Sequence, residues 1–217
     1  MALAVLTTLG CMLVWMGRRF DPDSRRIVAR VLGTLLLLYV IASYTRTGWL
    51  GTLSWRDSLP LHLCNWVMGA CIITLFRPNA LGFEIAYFWG MSGTLQAVIT
   101  PDLHDGFPSW KFIQFFWGHG GSLLAIVFMV AGLGLRPRKG SVMRAFIAIN
   151  VYALTVAVLD EAFHWNYGYM CAPPTQRSLI NHLGPWPWYI LGMEAVAFAS
   201  FLLLAAPWKW MDRSAQS

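Results

Sequence analysis

Charge is what this sequence has least of. Asp, Glu, Lys and Arg together make up 12% of its 217 residues, about half the share of an ordinary soluble domain. So little charge cannot cover a water-soluble globule of this size with polar surface. Disorder is excluded as well, because a disordered chain is poor in apolar residues, whereas 57% of this one is hydrophobic and its mean hydropathy is +0.54. No Lys or Arg precedes the first apolar stretch, which makes that stretch a poor signal peptide. There is no internal repeat and no low-complexity tract, which argues against an inverted-repeat transporter.

What is present points to a bilayer. A spanning helix needs roughly 17 to 25 mostly apolar residues. Seven stretches are candidates: Ala2–Met16, Ile27–Tyr44, Leu59–Phe76, Phe83–Thr100, Phe112–Leu135, Val142–Trp165 and Trp188–Pro207. Many of the 12 Trp, 7 Tyr and 13 Phe lie near the ends of these stretches, where aromatic rings anchor at headgroup depth. The connections are short, so residues 1–217 are expected to form one all-α, polytopic bundle of seven transmembrane helices.

The net charge of +6 is read as loop orientation, with membrane lipids and no nucleic acid as partners. The face that carries the first loop receives Arg18, Arg19, Arg25, Arg26, Arg30, Arg77, Arg136, Arg138, Lys139, Arg144, Lys209 and Arg213. The other receives only Arg46, Arg56, Lys111 and Arg177. Basic loops stay in the cytoplasm. The N-terminus is therefore expected outside and the C-terminus inside, as an odd helix number requires.

That orientation gathers the polar residues at the outer end. His62, Cys64, Asn65, Gln96, His104, Gln114, His119, Asp160, Glu161, His164 and His182 all fall there. Polar side chains in hydrocarbon are costly and usually face a bundle interior or a wet cavity. A polar pocket in the outer half of the membrane is expected, with His62, Asn65, Gln96, Gln114, Asp160, Glu161 and His164 lining it. Glu84, near the opposite end, complements the start of the fourth helix. Glu194 lies deeper, at the level of Asn150.

Two residues suit chemistry. In Leu59-Pro60-Leu61-His62-Leu63-Cys64-Asn65-Trp66, Pro60 fits a first helical turn and Cys64 lies about one turn in; the helix dipole there favours a thiolate. The bland reading is a small buried hydrophobe. His119 is framed by glycines in Phe115-Phe116-Trp117-Gly118-His119-Gly120-Gly121. Small residues let another backbone or a lipid come close, and an imidazole with an ordinary pKa near 6.5 suits general base work. A structural histidine bonded to a neighbouring helix is the alternative. Glu161 and His164 share a helical face at a spacing found in metal-binding bundles. There is one such pair rather than two, so neither metal nor other cofactor is expected. Cys171, on the same side as Cys64, could pair with it in a disulfide.

Several of these segments carry a resemblance. Leu59-Pro60-Leu61-His62-Leu63-Cys64, the block from Phe83 to Gly90, Thr100-Pro101-Asp102, Phe112 to Phe116 with His119-Gly120-Gly121, Asn166-Tyr167-Gly168-Tyr169 and Gly184-Pro185-Trp186-Pro187-Trp188-Tyr189 together resemble the YwaF-type bacterial integral membrane proteins. That family is distantly similar to the vertebrate transmembrane protein 164, a phospholipid acyltransferase working through a Cys and a His. The resemblance implies a multi-pass protein of the bacterial cytoplasmic membrane, with Cys64 as nucleophile and His119 as base for lipid acyl transfer or lipid ester hydrolysis. A non-enzymatic transporter or sensor that takes a lipid or small molecule into the same pocket is the competing reading.

Overall fold

Apolar stretches bounded by capping residues fold into seven long helices. A computed structural model describes the chain apart from residues 102, 104, 175–178 and 215–217 and the side chains of 179 and 212–214. Asp102, His104, Arg177 and the side chain of Arg213 thus lie outside the described residues. The helices are α1 (Ala2–Arg19), α2 (Pro22–Trp49), α3 (Leu63–Phe76), α4 (residues 80–99), α5 (Trp110–Ala131), α6 (Ser141–Phe163) and α7 (Trp188–Ser214). No strand occurs among the described residues. Four helices are long and apolar enough to cross a membrane: α2, α5, α6 and the Trp188–Met211 part of α7. The shorter α3 is also apolar.

Local chemistry sets the boundaries. Asp21 caps α2 by accepting from the Asp23 and Ser24 N–H groups, with Pro22 in the first turn. This side-chain cap satisfies donors that the helix itself cannot. The Ser24 hydroxyl and backbone N–H hold the Asp21 carboxyl below the usual range. Asn79 caps α4 through the Gly82 N–H at 2.7 Å, and Ser109 caps α5 through the Phe112 N–H at 3.2 Å. Both α4 and α5 contain a widened π-helical turn, Gly90–Thr94 and Phe116–Gly120 respectively.

Several boundaries differ from the sequence expectation: α2 runs Pro22–Trp49 instead of Ile27–Tyr44 and α7 runs on to Ser214 instead of Pro207, and the difference that bears on the site is the start of α3. α3 begins at Leu63, not Leu59, with His62 as its N-cap. The backbone before it is held by tyrosines instead of helical bonds. The Tyr167 hydroxyl accepts from the Leu59 N–H at 2.9 Å and donates to the Trp55 carbonyl at 3.1 Å. Tyr152 donates to the Leu61 carbonyl at 2.8 Å, and Tyr44 to that of Ser58 at 2.8 Å. Pro60 therefore sits in a pinned non-helical segment, and Cys64 is the second residue of its helix.

The core lies where α3, α4, α5 and α6 meet. Val67, Cys71, Phe83, Phe88, Trp89, Ile126, Phe128 and Met129 are buried there. The Trp89 indole donates to the Ala145 carbonyl at 3.1 Å, which satisfies its one polar atom. α1 crosses α5 so closely that a Cβ on Gly17 would come within 2.7 Å of the Ala131 backbone.

Glu84 has a larger role than complementing a helix start. Its carboxylate is wholly buried and accepts five N–H bonds. Arg138 supplies its backbone N–H at 3.2 Å, Nε at 2.9 Å and Nη2 at 3.2 Å. Arg144 supplies Nε at 2.9 Å and Nη2 at 2.8 Å. This cluster ties the loop before α6 to the first turns of α4. Asn150, matched in depth with Glu194 by the sequence, donates instead to the Phe146 carbonyl of its own helix.

Candidate functional site

Cys64 and Asn65 are half-buried in the first turn of α3, next to N–H groups that no helical carbonyl reaches. α3 packs against both π-helical turns. A Cβ on Gly93, in the first, would lie 3.3 Å from Leu63 Cδ2. The second contains His119. π-turns inside α-helices frequently mark functional sites, because the extra residue re-aims side chains and frees backbone groups.

His119 is half-buried and stacks on Phe115, with ring centroids 4.3 Å apart. Its Nδ1 lies 3.0 Å from the Phe115 carbonyl. A carbonyl only accepts, so Nδ1 carries the proton in the neutral ring. Nε2 is left with its lone pair, and no hydrogen bond engages it among the described residues. A histidine fixed in one tautomer with the other nitrogen open is the arrangement a general base requires.

Tyr39 links the two helices. This half-buried α2 residue faces Ser43 and Gln114, and it lies within electrostatic range of Cys64. A Cβ on Gly118 would meet its hydroxyl oxygen at 2.7 Å. Sequence reasoning missed Tyr39. The available signal was a tyrosine deep in an apolar helix, whose hydroxyl needs a polar neighbour.

The glycines around His119 do not leave an open surface. Gly118 is covered by Tyr39, Gly120 by Leu6 and Gly121 by Leu36, each within 3.0 Å of where a Cβ would be. They seat α1 and α2 against α5, so the close approach expected there is made by protein side chains.

The other residues expected to line a pocket divide into two groups. His62, half-buried, packs edge-on against Tyr167 at 4.9 Å. Gln114 is half-buried beside Tyr39. Asp160 is buried, and its Oδ1 accepts from the Tyr167 N–H at 2.9 Å while Oδ2 has no partner. It thus supports the tyrosine that pins the segment before Cys64. Gln96, Glu161 and His164 are exposed. Gln96 donates along its own helix to Thr100 at 3.1 Å, and His164 ends α6 in a left-handed conformation with φ 55°.

The four cysteines are free. Cys64 is not bridged to Cys171. Burial, with a smaller contribution from the Asp160 and Glu161 charges, pushes the Cys171 thiol up, away from reactivity. Among the described residues no cluster of His, Cys, Asp and Glu could hold a metal ion.

The model of the TMEM164 family matches residues 1–205. This chain belongs to the TMEM164 family. Membership and the apolar helices together make it an integral membrane protein. The matched span takes in α3, both π-turns and the Tyr167 loop, so the whole Cys64–His119 neighbourhood lies inside the part shared with the TMEM164 family. No curated protein and no solved structure matches the chain.

Proposed function

We propose that this TMEM164-family protein is a Cys/His lipid acyltransferase or lipid ester hydrolase. In this reading it is a YwaF-type protein of the bacterial cytoplasmic membrane, with seven spans, the N-terminus outside and the C-terminus inside. The basic-residue bias supports that orientation. One observation carries the chemical reading. The helix whose second residue is Cys64 packs on the π-turn that holds His119, and the His119 ring is fixed with Nε2 open.

The steps follow from those groups. Nε2 of His119 takes the Cys64 thiol proton, and the thiolate attacks the ester carbonyl of a membrane lipid. The oxyanion is held by the N–H groups at the start of α3 or by the Asn65 amide. The carbon–oxygen bond breaks, and the leaving alkoxide receives the proton from His119. A thioester remains on Cys64. An acceptor alcohol or water then gives its proton to Nε2 and attacks the thioester carbonyl. The carbon–sulfur bond breaks, and the Cys64 thiolate is reprotonated. Tyr39 and Gln114 help to set the position of the His119 turn, and Asp160 with Tyr167 sets the start of α3.

Protein in nanodiscs, incubated with an alkyne-tagged phospholipid, should form an acyl adduct on Cys64 that hydroxylamine cleaves. Cys64→Ser should abolish the adduct. His119→Ala should slow it by on the order of a hundredfold or more, the usual contribution of a positioned base. Wild-type rates in both variants would refute the assignment.

A further inference from the structure

A groove of about 570 Å³ opens on the outside of the bundle between α2 and α5. Leu38, Ile41, Ala42 and Trp117 form its apolar floor, and Thr45 and Arg46 stand at its polar end. From Leu38 to Arg46 the helix rises about 12 Å, at 1.5 Å per residue. That suits a stretch of fatty-acyl chain running below a headgroup.

The polar end has groups without partners. The Arg46 guanidinium carbon sits over the Trp110 ring, 5.1 Å from its centroid. That cation–π contact is not a hydrogen bond, and among the described residues the Arg46 N–H donors make none. No carboxylate among the described residues pairs with it, whereas Lys111 nearby reaches Asp105 and Arg138 and Arg144 reach Glu84. Thr45 is similarly placed. Thr47 and Thr155 bond back to the carbonyl four residues earlier, but among the described residues the exposed Thr45 hydroxyl makes no hydrogen bond. An unpaired cation and a free hydroxyl, one residue apart above an apolar channel, call for an anion with a hydrocarbon tail.

We propose that the α2–α5 groove binds one phospholipid, with its phosphate held by the Arg46 guanidinium and the Thr45 hydroxyl and one acyl chain lying along Leu38, Ile41 and Trp117. A planar guanidinium matches two phosphate oxygens at once. The groove adjoins the candidate site, since Trp117 packs on Tyr39 with ring centroids 6.1 Å apart. The inference rests on the proposed function only for what becomes of the lipid. Binding itself requires no reaction at Cys64.

The test uses full-length protein in nanodiscs and two lipids carrying the same diazirine-labelled chain, phosphatidylglycerol and diacylglycerol. After irradiation, phosphatidylglycerol should label peptides covering residues 38–49 and 110–117, and diacylglycerol should label them at least fivefold less. Arg46→Gln should lower phosphatidylglycerol labelling roughly tenfold, in line with one charge-assisted contact. Arg46→Lys should keep it within about threefold, because a point charge still attracts phosphate. Equal labelling by the two lipids in the wild-type protein would overturn the assignment whether or not the variants fold. So would displacement by inorganic phosphate, or crosslinking of the groove to a second copy of the chain. Cys64→Ser should label like wild type. Normal labelling with no Cys64 adduct would sink the catalytic reading and leave this one standing; an adduct without groove labelling would do the reverse.

Discussion

Removing one oxygen atom, in Tyr167→Phe, tests whether the segment before Cys64 is held by a residue 108 positions further along the chain. The Tyr167 ring is buried and its hydroxyl serves two backbone groups, the Leu59 N–H at 2.9 Å and the Trp55 carbonyl at 3.1 Å. Leu59 is half-buried, so its N–H loses a partner that water replaces poorly. Trp55 is 77% exposed, and its carbonyl turns to solvent at little cost. The expected loss is about 1.5 kcal/mol, mostly from the Leu59 N–H, within the range for one unmet buried donor. That corresponds to roughly a tenfold rise in the population with residues 54–61 released. Alkylation of Cys64 by a maleimide, in a background lacking Cys11 and Cys171, should speed up by about the same factor, because opening limits access to a half-buried thiol. Tyr44→Phe is the control. Tyr44 is 38% exposed, so water takes over its bond to Ser58 and the rate should rise no more than about twofold. Equal effects from the two variants, or an unchanged Cys64 rate in Tyr167→Phe, would refute the reasoning.

Two further perturbations test the packing. Glu84→Gln should destabilise the protein by roughly 2 kcal/mol, below the 3–5 typical of a fully buried broken pair. The Arg138 and Arg144 side chains are 52% and 38% exposed and regain water once unpaired; a melting temperature unchanged in detergent would contradict this. Gly17→Ala should cost about 1–3 kcal/mol, as overpacking does, because its Cβ would press on Ala131 and Gly132 main-chain atoms. Gly69→Ala, whose new carbon would meet nothing within 4 Å beyond the backbone of its own helix and its chain neighbours, should melt with the wild type.

The helices were legible because hydropathy acts locally, but the capped starts at Pro22, Ala80 and Trp110 lie two to five residues before the apolar stretches at Ile27, Phe83 and Phe112. Asp21 before Pro22, Asn79 before Ala80 and Ser109 before Trp110 are chain-neighbour effects. The start of α3 was not legible, since it depends on hydroxyls 91 and 108 positions away in the chain. The π-turns were hidden for a related reason. They follow from how α4 and α5 accommodate α3, Tyr39 and Leu6, and a glycine-rich stretch such as Gly118 to Gly121 is compatible with either an open face or a filled one. Cys64 and His119 could be picked out as candidates by residue type and placement; Tyr39 was overlooked, because a hydroxyl in an apolar helix signals a polar neighbour without saying which one. Glu84 was visible only as an acid at the start of the fourth helix, and its partners Arg138 and Arg144 read as loop charges. Only the fold brings both against one carboxylate.

The grip on residues 54–61 closes on peptide groups: the carbonyls of Trp55, Ser58 and Leu61 and the N–H of Leu59. Every amino acid offers that carbonyl, and every one but proline offers that N–H. Apart from Ser54 and Ser58, whose hydroxyls accept from backbone N–H groups of the same stretch, side-chain identity here can therefore drift without loosening the tyrosine anchor. Spacing has no such freedom. A single inserted or deleted residue would put the wrong peptide unit under each phenol and rotate the thiol of Cys64 off its bearing.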